Sequence, residues 1–163
     1  MHEEGDPHLL SSPRNARIIA GNMTKVLREM CPEEALAIEE RGARLDSVIA
    51  SVDREVTALL GTTSGMAFLV MHPSMSYFAR DYGLRQIALE QEGKEPSPRQ
   101  LATRIAESRR AGADVMITDP SKGSRTTADL ARQAGVRCYQ ADFNAADFIE
   151  QYRQVAKRLT EQE

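Results

Sequence analysis

Tryptophan is absent from this 163-residue chain, and Phe and Tyr bring the aromatic share to only 5%. A platform that stacks bases needs several exposed rings, so the sequence argues against single-stranded nucleic-acid binding. An excess of positive charge is missing too: 21 Lys and Arg face 24 Asp and Glu, for a net charge of −3. That removes electrostatic capture of a nucleic-acid backbone, and no nucleic-acid partner is expected. No apolar run approaches the ~20 residues of a membrane-spanning helix, so no membrane insertion is expected. Met1–Ser12 is polar and acidic. It lacks the apolar centre of a signal peptide, so an exported form is expected as a mature or trimmed chain. Cysteine occurs twice, at Cys31 and Cys138. A bridge is open if the two meet; two buried free thiols are the expectation. Catalytic signatures are lacking: there is no G-x-S-x-G elbow, and Ser74 beside His72 has no triad pattern. Ser121–Thr127, SKGSRTT, lacks the G-x-x-x-x-G-K-[ST] spacing and reads as a polar loop leading into a helix. The chain is read as a non-enzyme.

What is present is ordered by periodicity. Ser12 followed by Pro13 is a helix start, with Ser at the cap and Pro at the first helical position. Ile19, Met23, Val26, Leu27 and Met30 recur at helical spacing, which predicts an amphipathic helix over Pro13–Met30. Pro32 interrupts it. A second helix follows, with Leu45, Val48, Ile49, Val52, Val56 and Leu59 on one face, ending near Gly61. Pro13–Leu60 is thus two helices or one kinked long helix.

From Thr62 the period changes. Short apolar runs at Ala67–Met71, Gln86–Leu89, Val115–Thr118 and Arg137–Gln140 alternate with helices at about Met75–Tyr82, Pro98–Ala111, Ser124–Ala134 and Ala145–Leu159. Ser97, Pro98 and Gln100 form a capping box. This alternation predicts an α/β fold: a four-stranded parallel sheet flanked by helices, preceded by a long connecting helix. The expected organisation is a tail over 1–12, two helices over 13–61 and an α/β lobe over 62–163.

The strand ends carry the chemistry. Gly65, Gly83, Gly112 and Gly135 each stand just before a strand, and the last three suit left-handed helix caps. Seven residues on from each lie His72, Glu90, Asp119 and Asp142. In a parallel sheet these fall along one edge, beyond the carboxyl ends of the strands where ligands bind. One histidine and three carboxylates on one rim suit a metal or cation.

The motifs then become specific. Asp6-Pro7-His8 precedes Pro13-Arg14-Asn15-Ala16 and a long helix. His72 is followed by Tyr77-Phe78-Ala79 and Tyr82-Gly83-Leu84. Glu92-Gly93-Lys94-Glu95-Pro96-Ser97-Pro98 comes next. Together these resemble the zinc/manganese solute-binding proteins of ABC importers, over nearly the whole chain. The resemblance covers the second of the family's two α/β lobes, with Pro13–Met30 as the connecting helix.

The resemblance implies a metal site of His8, His72 and Asp142, with Asp119 and Glu90 as rim or supporting groups. Zinc is the favoured ion and manganese the alternative. Phe143 stands where the family usually has Pro after the acid, and Leu9-Leu10 replaces its usual aromatic. The histidine of the first lobe has no counterpart here. Its position is open to water, to a residue of another copy, or to Glu3 or Glu4. The implied partners are the membrane subunits of an ABC importer, and the implied location is periplasmic or extracytoplasmic. The alternative is a stand-alone interaction module forming homodimers through an exposed lobe face. His2 reads as an inert, solvent-exposed residue.

Overall fold

The computed structural model describes residues 5–90, 96–120 and 124–161. His2, Glu3, Glu4, Glu92–Glu95 and Ser121–Gly123, all drawn on above, lie outside the described residues. The described residues form α1 (Pro13–Met30), α2 (Ala35–Leu60), β1 (Ala67–Val70), α3 (Ser76–Asp81), β2 (Arg85–Ala88), α4 (Pro98–Arg110), β3 (Val115–Thr118), α5 (Ser124–Ala134), β4 (Arg137–Gln140) and α6 (Phe148–Thr160). The strands are all parallel, in the order β2-β1-β3-β4.

The helix signals act as expected. Ser12 Oγ accepts hydrogen bonds from the amides of Arg14 and Asn15, with Pro13 next to it. Ser97 and Gln100 form the reciprocal capping box at the start of α4. Gly83, Gly112 and Gly135 all take positive φ. α6 starts three residues later than the apolar pattern suggests, because Asp142 folds the preceding segment into a turn. Its Oδ1 accepts the Asn144 amide at 2.9 Å.

Side-chain alternation divides the core. Phe68 and Val70 of β1, with Val115 and Ile117 of β3, point to one face and pack with Val52, Val56, Phe78, Tyr152 and Val155. Ala67 and Leu69 point the other way with Met116, against Ile105 of α4 and Ala131 and Ala134 of α5. The result is a three-layer α/β/α arrangement. β1 and β3 are buried throughout, as inner strands covered on both faces must be. β2 and β4 form the edges and carry exposed positions.

The two N-terminal helices form an antiparallel hairpin, marked by the ion pairs Arg14–Asp53, Arg17–Asp46 and Arg28–Glu39. Here the expected faces are corrected. α1 buries Ala16 and Ala20, while Met23, Val26, Leu27 and Met30 are exposed. α2 buries Ile49, Val52, Val56 and Leu60, leaving Leu45, Val48 and Leu59 exposed. The helices approach so closely that small residues line the contact: a Cβ on Gly42 would lie 2.4 Å from Thr24 Oγ1. Cys31 and Cys138 are free, as expected, but both are exposed rather than buried.

Candidate metal centre

The strand order places a crevice between β1 and β3. From β1 the chain moves first to β2 on one side, then crosses over to β3 on the other. Such a switch point opens a crevice beyond the strand ends, where α/β proteins bind ligands. His72 follows β1 and Asp119 follows β3, so both flank it. Register extends this: Leu69 pairs with Met116 and Val70 with Ala88, so Glu90, His72 and Asp119 stand level across three strands. The ladder continues past β1, since the Glu90 amide donates to the Met71 carbonyl at 2.9 Å. Asp142 does not share this register. Ile117 pairs with Tyr139, which puts Ala141 opposite Asp119 and Asp142 one residue beyond.

His8 reaches the same place from the other end of the chain, and the hydroxyls of half-buried Tyr77 and buried Tyr152 tie its segment there. Tyr77 Oη donates to the Asp6 carbonyl at 3.1 Å, and Tyr152 Oη donates to the Leu10 carbonyl at 2.6 Å. Ser12 Oγ donates to Asp81 on α3. The His8 and His72 rings then meet edge to face, with centroids 5.1 Å apart at 66°.

Each imidazole is held from behind by a carboxylate. Asp6 Oδ1 lies 2.8 Å from His8 Nδ1 and also accepts the His8 amide. Glu90 Oε2 lies 3.2 Å from His72 Nδ1. A carboxylate accepts, so Nδ1 carries the proton and Nε2 keeps its lone pair for a ligand. Burial pushes the Asp6 carboxyl up, but hydrogen bonds from the His8 amide and ring and from Ser76 outweigh it and hold Asp6 below its ordinary value. Both rings are about one-third exposed, at 33% and 30%. They are reachable yet fixed in orientation.

A cavity of about 100 Å³ lies at the pair, lined by His8, Met71, His72, Ser74, Ile117 and Asp119. A larger one of about 250 Å³ adjoins it, with Ala141, Phe143 and Asn144 on its wall. Asp142 lines neither. Among the described residues, no three His, Cys, Asp or Glu side chains are already gathered closely enough to hold one ion. The structure therefore unites His8 and His72, sets Asp119 beside them, and leaves Asp142 at the edge with its carboxylate on the Asn144 amide. Asp6 escaped the sequence reading. Its signal was the acid two residues before His8, close enough for its side chain to turn back onto the ring.

The family model described as the periplasmic component A of a zinc-uptake complex (ZnuA) matches residues 1–162. The chain belongs to this family. It is a family of solute-binding proteins. Among curated relatives, the zinc-binding protein AdcA of Streptococcus pyogenes serotype M6 is 28% identical over 134 residues, 81% of this chain and 26% of AdcA. A putative metal-binding protein of Chlamydia trachomatis is 29% identical over 129 residues, 78% of this chain and 47% of that protein. The chain thus spans less than half the length of these curated relatives. A ZnuA crystal structure superposes with a TM-score of 0.87 at 28% identity, over 96% of this chain and 59% of that one. A zinc-bound ZnuA deletion mutant gives 0.85 at 27% identity, over 98% and 63%. A laminin-binding adhesin of Streptococcus agalactiae shares the fold at 19% identity, with a TM-score of 0.84 over 94% and 63%. The four-stranded parallel α/β lobe read from the sequence is the fold these structures share.

Proposed function

We propose that this chain binds zinc as cargo, for delivery to the membrane subunits of an ABC importer outside the cytoplasm, and catalyses no reaction. His8 and His72 are the nitrogen ligands and Asp142 the oxygen ligand, with Glu90 and Asp119 in supporting positions. The chain acts as one lobe of a two-lobed binder, consistent with the 59% of the ZnuA chain that it matches.

The observation that carries this reading is the paired imidazoles, each backed by a carboxylate. Two imidazoles sharing one tetrahedral zinc, with Zn–N near 2.0–2.1 Å, set their ring centroids about 5 Å apart. The observed 5.1 Å agrees. Two imidazoles favour zinc over manganese, whose preference is for oxygen. Asp142 joins by exchanging the Asn144 amide for the ion; its neighbours Ala141 and Phe143 already line the adjoining cavity. With three protein ligands, one coordination position stays open.

Calorimetric zinc titration of the wild type beside His72→Ala, Asp142→Asn and Asp119→Asn tests the assignment. One zinc per chain is expected in the wild type. Loss of a ligand, in His72→Ala or Asp142→Asn, is expected to weaken binding about 10- to 1,000-fold, a few kcal/mol. Asp119→Asn is expected to weaken it less. Equal affinity in wild type and His72→Ala overturns the site.

A second reading rests on the exposed stripe Met23, Val26, Leu27 and Met30 on α1. An apolar face of this kind supports self-association. It predicts dimers that persist in chelator, where the carrier reading predicts no chelator-resistant dimer by sedimentation.

A further inference from the structure

We infer that Gln86, on the edge strand β2, is a positioning residue for the metal: through Ser76 and Asp6 it fixes the ring of His8. This inference rests on the metal-carrier reading and deepens it, because one strand that supplies no ligand then aligns both histidines.

The relay begins at a helix whose cap comes from elsewhere. Met75 precedes the first turn of α3 and makes no side-chain cap hydrogen bond. The amides at a helix start need acceptors from outside the helix. Here β2 supplies one: Gln86 Oε1 accepts the Met75 amide at 2.7 Å. A backbone amide can only donate, so the oxygen of Gln86 faces it and the nitrogen faces the other way. That nitrogen donates to Ser76 Oγ at 3.2 Å. The Ser76 hydroxyl is an acceptor in that bond and keeps its single proton to give elsewhere. It gives it to the Asp6 carboxylate. The Pro73 carbonyl, at 3.5 Å, is too far for a full O–H···O bond.

Asp6 is where the relay meets the ligand. Its Oδ1 accepts the His8 amide at 3.0 Å and lies 2.8 Å from His8 Nδ1. The Asp6 side chain is 27% exposed, so water competes for it, and Ser76 holds it from the protein side. The next residue of α3 adds a second hold, with Tyr77 Oη on the Asp6 carbonyl. Gln86 fixes the turn that carries both. Each donor in the series is assigned by the bond before it, and the series ends with the proton on His8 Nδ1 and the Nε2 lone pair free.

The same strand backs the other histidine. Side chains two apart on a strand share a face, so Gln86, Ala88 and Glu90 project to one side as the ladder runs on past β2. Glu90 reaches His72 Nδ1 directly. β2 therefore orients His72 through one side chain and His8 through a relay of three.

The test compares wild type with Gln86→Met, which keeps the side-chain length and removes both hydrogen bonds, and with Ser76→Ala, which leaves the Gln86 bond to the Met75 amide in place. Zinc titration gives the affinity. Nitrogen-15 NMR of the histidine rings, without metal and in mildly alkaline buffer where imidazole is neutral, gives the tautomer. Both variants are expected to bind zinc about tenfold more weakly, the low end of what losing support behind a ligating imidazole does. In both, the His8 ring should change from the Nδ1–H form to a mixture. Adding Gln86→Met to Asp6→Ala should weaken zinc no further than Asp6→Ala alone, because the relay is already cut. A purely structural role would weaken zinc alike in the two backgrounds and leave the tautomer unmoved. If that is seen, or if both variants match the wild type in affinity and tautomer, the inference is overturned and the carrier reading stands. A wild type that takes up no zinc overturns the carrier reading itself.

Discussion

Glu90 and His72 stand level on neighbouring strands, and Glu90 Oε2 lies 3.2 Å from His72 Nδ1. The pairing is built by register. The Met71–Glu90 backbone bond fixes both residues at the sheet edge before either side chain is placed. A carboxylate behind a ligating imidazole sets its tautomer and raises its basicity, and losing one weakens metal binding about 10- to 100-fold. Glu90→Ala is therefore expected to weaken zinc by that factor, and Glu90→Gln by less, because the amide oxygen still accepts from Nδ1. A competition titration against a zinc chelator reads both. Unchanged affinity in Glu90→Ala would remove Glu90 from the site.

Tyr152 links the end of the chain to its beginning. Its side chain is fully buried in the core, and its hydroxyl reaches the Leu10 carbonyl, 142 residues away in sequence. Burial pushes the phenol well above its ordinary value, so it stays a donor at any working pH. Tyr152→Phe keeps the ring contacts with Phe143 and Phe148 but leaves the Leu10 carbonyl without this donor. Such a loss costs about 1–2 kcal/mol. The segment it loosens carries His8, so zinc affinity should fall along with the melting temperature. Thermal unfolding with and without zinc checks both. A variant that loses stability but keeps full zinc affinity would show that the tether does not serve the site.

Much of this was legible in the sequence, for physical reasons that differ residue by residue. The four glycines located the strands because a positive φ before a strand leaves few alternatives to glycine. Counting from them put His72 and Glu90 on one rim, and the ladder places them level. The same count put Asp142 in line, yet the β3–β4 register sets it one residue out, since spacing along a chain does not fix spacing across it. Strand order, and with it the crevice between β1 and β3, has no local signal.

The faces of α1 misled for another reason. Periodicity weights large apolar side chains, whereas this helix makes its contact through Ala16 and Ala20 and turns Met23, Val26, Leu27 and Met30 outward. Asp6 was hidden by its short range: it acts on a residue two positions away, a distance at which motif spacing looks like coincidence.

Acid should destabilise the fold gradually. Asp46 sits below its ordinary value of 3.8 chiefly through its hydrogen bond from Arg17. Glu55 and Glu150 sit below 4.5 chiefly through Arg153, and Glu107 through Arg104. A carboxyl with a lowered folded pKa stabilises the fold fully above its unfolded value, and that contribution is lost as pH falls through the folded value. The urea midpoint is therefore expected to stay level from about pH 5 upward and to decline below about pH 4. Arg153 joins α6 to α2 by holding Glu150 and Glu55 together. Arg153→Met should flatten the acid limb, and a midpoint that rises on acidification would refute the account.

The helix hairpin gives the sharpest stability prediction. A methyl group on Gly42 would lie 2.4 Å from Thr24 Oγ1, 2.6 Å from its Cγ2 and 3.1 Å from its Cβ. Rotation of the threonine relieves the first two distances but leaves the third, which belongs to the stem of the side chain. Helix propensity alone favours alanine over glycine by about 1 kcal/mol. Overpacking of this kind costs typically 1–3 kcal/mol, so the clash prevails. Gly42→Ala is expected to lower stability by about 1 kcal/mol net, and Thr24→Ala in the same chain to restore most of it. Chemical unfolding of the two single variants and the double variant measures the coupling directly. If Gly42→Ala alone proves more stable than the wild type, the helices part freely at this crossing and the small-residue contact does not hold them.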